Sequence, residues 1–312
     1  MSGMKDLCRD KTMFMQKLPF RHCSWICAIF LFGFCNSHKS PTQAAAPLLP
    51  SDSIPYRLET PSKVIRLEEP ALREISGLSP TSAPGIFVCI ADERGEAFLI
   101  DANTGGQVLK RILFKDKGDF ESVEMVGKTI WAVKSNGDVY EINNWESDVP
   151  AVVEYETFLK KHNDIEGLCY DPKRNALLLA CKEDPDSMHA RNVYAFSLQS
   201  KSLEEKPVYE LNPEEVNRYA AYGENERHQF FSPSGIAIHP ITGEVYLIST
   251  ALKRLVVLDY GSGKIKAVQH LDKQVMPQPE GISFDTDGNL YLSSEGKTGE
   301  GMLLLFNYTG KK

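Results

Sequence analysis

Apolar residues in this chain fall in short runs, each cut off by a turn rich in Pro, Gly, Asn or Asp. Residues 164–184 read DIEGLCYDPKRNALLLACKED: an acidic pair, the run GLCYD, the turn PKRN, the run ALLLAC, then charge again. Residues 278–295 repeat the plan as QPEGISFDTDGNLYLSSE, and residues 232–249 as SPSGIAIHPITGEVYLIS. Runs this short, bounded by turn residues, predict hairpin strands rather than helices. A third run follows each hairpin: NVYAFSL, RLVVLDY and MLLLFNY.

Five small anchors head these units: EISGL (74–78), DFESV (119–123), DIEGL (164–168), SPSGI (232–236) and QPEGI (278–282). Their third residues are spaced by 45, 45, 68 and 46 positions. A period in the forties with three or four short strands per unit predicts a β-propeller, so the fold class is all-β. Five anchors predict five blades. The long interval contains a polar, partly helical insertion at about 200–229, and six blades stay open if a degenerate blade hides there. The last unit has only three strands. A spare strand at 56–68 (YRLETPSKVIRLE) precedes the first, and would close the ring by completing the final blade.

Ahead of the repeats the pattern changes. Five cations outnumber Asp6 and Asp10 in residues 1–34, and CSWICAIFLFGF (23–34) is an apolar run too short for a membrane span. This predicts an export leader over 1–35, with Cys35 as a lipoprotein attachment point. Residues 36–55, rich in Pro, Ser and Ala, predict a tether. The expected location is the cell envelope, membrane-anchored through the N-terminus alone. Net charge is −7 over 312 residues and +3 in residues 1–34, leaving −10 for the rest. A domain that acidic repels nucleic acid. Of the cysteines beyond the leader, Cys89, Cys169 and Cys181 each sit in an apolar run, which predicts small buried hydrophobes.

The ordered set SPSGIAIHPITGEVYLISTALKRLVVLD, QPEGISFDTDGNLYLSSEG and DIEGLCYDPKRNALLLACKE resembles the SdiA-regulated (YjiK-like) β-propeller family of bacterial envelope proteins, over roughly residues 70–306. The resemblance implies an envelope-exposed propeller with calcium as a candidate ion. It implies no settled reaction.

Innermost strands of a propeller surround its axis, so the anchors predict a ring of Ser76, Glu121, Glu166, Ser234 and Glu280 at one mouth. Three carboxylates there repel one another unless a cation neutralises them, and hard oxygen donors suit calcium. Glu121, Glu166 and Glu280 are therefore the candidate metal ligands, with Asp119 and Asp164 close by. The ends of the second strands supply a second ring: Asp92, Lys134, Lys182, Glu183 and Glu295 as candidate ligand-binding residues. Two competing readings stay open: each Glu caps local amides, or Lys134 and Lys182 pair with the carboxylates directly. The expected function is binding of a small molecule or envelope protein by a monomeric propeller. The alternative is a calcium-dependent hydrolase of esterase, lactonase or phosphatase type, with His162 or Glu183 turned into the mouth as acid or base. A scaffold without a small-molecule site is the third reading.

Overall fold

The computed structural model describes residues 51–183, 188–219, 230–296 and 299–311. The expected leader, Cys35, most of the tether and His228 lie outside those residues.

Five antiparallel sheets follow one another along the chain. Blade 1 holds Ile75–Pro80, Ile86–Ala91, Gly95–Asp101 and Gln107–Lys115. Blade 2 holds Phe120–Val126, Thr129–Lys134, Val139–Asn143 and Ala151–Tyr155. Blade 3 begins Ile165–Asp171, Ala176–Cys181 and Arg191–Ser197. Blade 4 holds Gly235–Ile238, Val245–Ser249, Arg254–Leu258 and Ile265–His270. Blade 5 contains Pro279–Phe284, Leu290–Ser294 and Gly301–Phe306 from the C-terminal end of the chain. Its outer strand is Lys63–Leu67, paired from Lys63↔Leu305 to Leu67↔Gly301, so the N-terminal strand closes the ring as expected.

The insertion hides no sixth sheet among the described residues. Ser202–Leu203 and Tyr209–Leu211 both pair with the third strand of blade 3 and share the place of its outer strand. The helix Pro213–Asn217 then starts on Asn212, whose Oδ1 accepts the Glu214 N–H at 2.9 Å, and buries Val216 against the core between blades 3 and 4.

The first strand of each blade contacts the first strand of the next, and the fifth contacts the first. These contacts explain the recurrent anchor. The ladder to the second strand slips at the anchor residue in four blades, between Ile75 and Leu78, Phe120 and Ser122, Ile165 and Gly167, and Pro279 and Ile282. Such a bulge leaves the anchor residue unpaired and re-aims its side chain. The glycine after it lets the neighbouring backbone close in: a Cβ on Gly281 would lie 2.5 Å from the Ser76 carbonyl oxygen, and one on Gly77 2.7 Å from Ser122 Cα. The core lies between blades, with apolar clusters joining each to its neighbours. Cys89, Cys169 and Cys181 are buried thiols within it, as the pattern predicts.

The Asp or His that ends each repeated first strand is a turn cap. Asp171 Oδ1 accepts from Lys173 N (2.9 Å) and Arg174 N (3.2 Å), and Asp285 Oδ1 from Asp287 N (3.0 Å) and Asn289 N (2.9 Å). In blade 4 His239 takes over, its Nδ1 accepting from Ile241 N and Thr242 N, both at 3.1 Å. Its Nε2 is then the protonated nitrogen and donates to Tyr56 Oη at 2.8 Å, while Tyr56 donates to the Gly288 carbonyl at 2.6 Å. Burial pushes the His239 imidazolium down to about 4, against a smaller upward pull from Glu244.

Gly281→Ala is expected to destabilise the fold by roughly 1–3 kcal/mol, because the backbone carbonyl of Ser76 stands in the way together with the Ser293 hydroxyl that bonds to it. The midpoint of denaturant unfolding checks it; an unshifted midpoint contradicts the tight approach.

Candidate functional site

The bulges bring the anchors together at one end of the ring, here called the mouth. Ser234 and Ser76 belong to a hydroxyl-rich side. Ser234 Oγ donates to the Pro279 carbonyl at 2.8 Å, Thr250 Oγ1 donates to the same carbonyl, and Ser293 Oγ donates to the Ser76 carbonyl at 2.7 Å. The other side is acidic. Glu166 is buried, and its Oε1 lies 2.7 Å from Lys182 Nζ, which is also 3.8 Å from Asp164 Oδ2.

Electrostatics link residues from separate blades. Burial raises the Glu121 carboxyl, and the charges of Glu166, Asp119 and Asp164 raise it further, with Lys182 opposing them. Burial also raises Glu166, against the pull of Lys182. Glu280 is held up at about 8, by burial first and then by Glu166 and Glu295, with Lys182 and a hydrogen bond from Thr250 opposing. Burial disfavours the Lys182 ammonium, but Glu166, Asp164 and Glu280 together raise it above its ordinary value. One ammonium thus serves carboxylates from three blades.

The second ring forms only in part as the sequence reading placed it. Lys182, Asp92 and Glu295 occupy equivalent positions. Lys182 N donates to Asp164 O (2.7 Å) and Glu295 N to Gln278 O (3.0 Å), one residue beyond the end of the second strand. In blade 2 that bond is made by Ser135 N to Asp119 O (3.0 Å), so Ser135 and not Lys134 is the counterpart of Lys182. Ser135 Oγ also donates to Asp119 Oδ2 at 2.7 Å. Lys134 lies opposite Phe120, as Cys181 lies opposite Ile165, and a one-residue slip along a strand turns a side chain to the other face. Its charge is felt by Glu154 on the outer strand of its own blade. Pairing of Lys182 with an anchor carboxylate is therefore observed, and Lys134 makes no ion pair among the described residues.

Glu183 turns away as well: its Oε2 lies 3.9 Å from Nη1 of Arg191, a fully buried residue that donates through Nε to the Phe231 carbonyl at 2.9 Å. His162 is exposed in the short 3-10 turn Lys161–Asn163. The acid–base positions expected of a hydrolase are thus not filled by Glu183 or His162. Asp164 and Glu183 flank Lys182 and its partner with φ of 49° and 52°, a left-handed backbone that side chains adopt at a cost and that clusters at functional sites.

Asp92 adjoins the arc on blade 1, where its carbonyl accepts the Phe120 N–H at 3.0 Å. Its Oδ1 is buried without a partner among the described residues. Burial, then Glu74, Glu93 and Asp119, raises its carboxyl. It lines a cavity of about 270 Å³ shared with Arg73, Glu74, Glu93, Arg94 and Phe98. No group of three or more His, Cys, Asp or Glu among the described residues is gathered closely enough to hold a metal ion.

Residues 55–298 match the model of the SdiA-regulated family. The chain belongs to that family. Among solved structures it is similar to a gluconolactonase from Xanthomonas campestris, at 14% identity and a TM-score of 0.50, covering 85% of this chain and 99% of that one. A luciferin-regenerating enzyme matches at 9% identity and a TM-score of 0.50, covering 80% and 96%. Identities this low show the shared propeller fold alone. No curated protein matches this chain by sequence.

The site gives SdiA-regulated proteins of this sequence a pH dependence of definite sign. Carboxyls raised above an unfolded value near 4.5 bind protons in the folded state that the unfolded chain has released, so stability falls as pH rises toward the folded values. His239 acts oppositely, since its lowered value adds stability as pH rises from about 4 to 6.5. Above pH 6.5 only the carboxyl effect remains of the two. Without divalent ions, unfolding midpoints are expected to drop between pH 6.5 and 9, and Glu280→Gln is expected to flatten that drop.

Proposed function

We propose that this protein is an envelope-anchored binding module whose mouth takes a hard cation of the calcium class, and through it an anionic or polar ligand. The observation that carries the reading is the convergence of Glu121, Glu166 and Glu280 from three blades on one ammonium, each raised by burial and by neighbouring charge. Carboxylates so arranged gain most from a divalent ion, which removes their mutual repulsion. The donor type suits such an ion, but since no three carboxylates among the described residues stand close enough to hold one as they are placed, Glu166, Glu280 and Glu121 would have to draw together around it; the hydroxyls of Ser234 and Thr250 lie on the adjoining rim. A bound cation would offer open positions to oxygen ligands, and the Asp92 cavity adjoining the ring gives room for the rest of a small molecule.

A second reading, calcium-dependent hydrolysis, has one observation in its favour. Glu280, held at about 8, would retain a proton at neutral pH and could donate it to a leaving group.

The deciding experiment is a calcium titration of chelator-treated protein by calorimetry and melting temperature, beside Glu166→Gln and Glu280→Gln. Saturable binding that strengthens from pH 6.5 to 9 is expected, because the ion displaces protons from the raised carboxyls. Each substitution is expected to weaken it about tenfold or more. A wild-type protein whose melting temperature ignores calcium at pH 9 overturns the cation reading. A screen of esters, lactones and phosphoesters on the calcium-loaded protein separates the second reading from the first.

Anchoring through the N-terminus belongs to the same proposal. Its support is the basic, apolar stretch that ends at Cys35. Cys35→Ala is expected to move the protein from the membrane pellet to the soluble fraction in a bacterial host. Unchanged pelleting would argue for another form of attachment.

A further inference from the structure

One buried titratable group has no part in the mouth. His239 caps the first hairpin turn of blade 4 and is fully buried. Its Nδ1 accepts two backbone N–H groups, from Ile241 and Thr242, both at 3.1 Å. Its Nε2 donates to Tyr56 Oη at 2.8 Å, and Tyr56 donates in turn to the Gly288 carbonyl of blade 5 at 2.6 Å. Tyr56 belongs to a strap, residues 51–60, that joins no sheet ladder. The strap is held at three places. Asp52 N donates to Lys266 O at the edge of blade 4, the Pro55 carbonyl accepts Thr309 N at 3.0 Å, and Tyr56 and Leu58 are buried in the core between blades 4 and 5.

We infer that this chain of bonds is an acid-sensitive latch: protonation of His239 frees the strap from blades 4 and 5 while the ring stays closed. The neutral imidazole uses one nitrogen as acceptor and the other as donor. An imidazolium has two donors and no acceptor, so its new proton at Nδ1 would point straight at the Ile241 and Thr242 N–H groups. The carboxylate whose charge reaches it, Glu244, is already held by Lys266 and by Thr242 Oγ1. Around the ring stand Tyr246 and Phe284 from blades 4 and 5 and Tyr308 beyond the last strand. Asp285 adjoins Tyr56, with its oxygens engaged by Asp287 N, Asn289 N and the Asn289 amide. Lys173 of blade 3 brings its ammonium to Gly243 in the same turn and opposes a second positive charge there. The charged ring therefore has to reach water. Tyr246 and Phe284 are fixed in ladders, and the turn stays closed through His239 N to Glu244 O and Gly243 N to His239 O, both at 2.9 Å. The strap has no ladder, so it is the wall that gives way. Burial depresses His239 from 6.5 to about 4, so the hold is complete above pH 6.5 and is lost as pH falls toward 4. Blades 3 and 5 use Asp171 and Asp285 as the same cap, so the one of the three that becomes a cation in acid is the one that touches the strap.

Amide hydrogen exchange of wild type and His239→Asn at pH 6.5, 5 and 4 tests the latch, with rates corrected for their intrinsic pH dependence. The Asp52 and Thr309 N–H groups report on the strap, since each bonds across its edge, and the amides of Lys63–Leu67 report on the closing ladder. In wild type the strap amides are expected to lose protection about a hundredfold or more between pH 6.5 and 4, with the ladder unchanged. Asparagine at 239 can accept the same two N–H groups and does not titrate. Its strap is expected to exchange faster than wild type at pH 6.5 and to show no such fall in acid. A fall that persists in the Asn variant belongs to Asp285 or another carboxyl and overturns the latch. So does strap protection that survives acid in wild type, or a loss shared equally by the ladder. A second readout needs no variant. In 15N-histidine spectra of wild type, His239 is expected as the neutral tautomer protonated at Nε2 at pH 6.5, gaining its second proton in step with strap opening. An imidazolium formed while the strap stays protected overturns the proposal.

Discussion

Close approach of five inner strands around one axis is the constraint on which the rest of this protein depends. Sheets that meet edge-on at an axis must bring backbones within reach of one another, and side chains there have to vanish or turn aside. Gly77, Gly167, Gly235 and Gly281 provide the first solution, each with a neighbour that would touch a Cβ. Bulges provide the second, by taking Ser76, Glu121, Glu166 and Glu280 out of the ladder. The two belong together, since the residue displaced by the bulge immediately precedes the residue that packs. Packing at the axis thus delivers one re-aimed side chain per bulged blade to the mouth, whatever its chemistry.

In this chain the chemistry is acidic on one side and hydroxylic on the other. Burial and like charge both work against ionised carboxylates, and Lys182 opposes them only in part. A core built only for stability would not gather such groups, since apolar residues of similar size at these positions would avoid the desolvation cost. The hairpin turns at the opposite end are capped by ordinary side-chain acceptors such as Asp171 and Asp285.

Much of this architecture was legible in the sequence because both of its periods are local. Alternation of strand and turn predicts the hairpins, and recurrence of the anchor predicts the blades and the closing strand. The ring of Ser76, Glu121, Glu166, Ser234 and Glu280 follows from the same alignment. What escaped was register. Blade 2 turns from Val126 to Thr129 through two residues, whereas blade 3 turns from Asp171 to Ala176 through four. Matching the blades by the charged end of each apolar run therefore put Lys134 where Ser135 belongs. Counting back from the turn, with Gly127 in the left-handed region, would have exposed the slip. Glu183 escaped for another reason: its partner Arg191 and the carbonyl of Phe231 are brought together only by tertiary packing. His239 fills the cap position that Asp171 and Asp285 hold elsewhere, and its second nitrogen meets Tyr56, which is far away in sequence.

That Tyr56 contact bears on how the ring withstands a pull. Residue 51 lies against the outer strand of blade 4, where Val268 N donates to Ser51 Oγ at 2.9 Å and Asp52 N donates to Lys266 O at 3.0 Å. Tyr56 is then clasped between blades 4 and 5, and only afterwards does the chain enter the Lys63–Leu67 ladder that closes the propeller. Force entering from the N-terminal side meets these three attachments in series. The edge contact peels first and the buried clasp next, so the ladder bears load only after both have yielded. A propeller hung by its N-terminus would otherwise be loaded directly at the seam that keeps it shut.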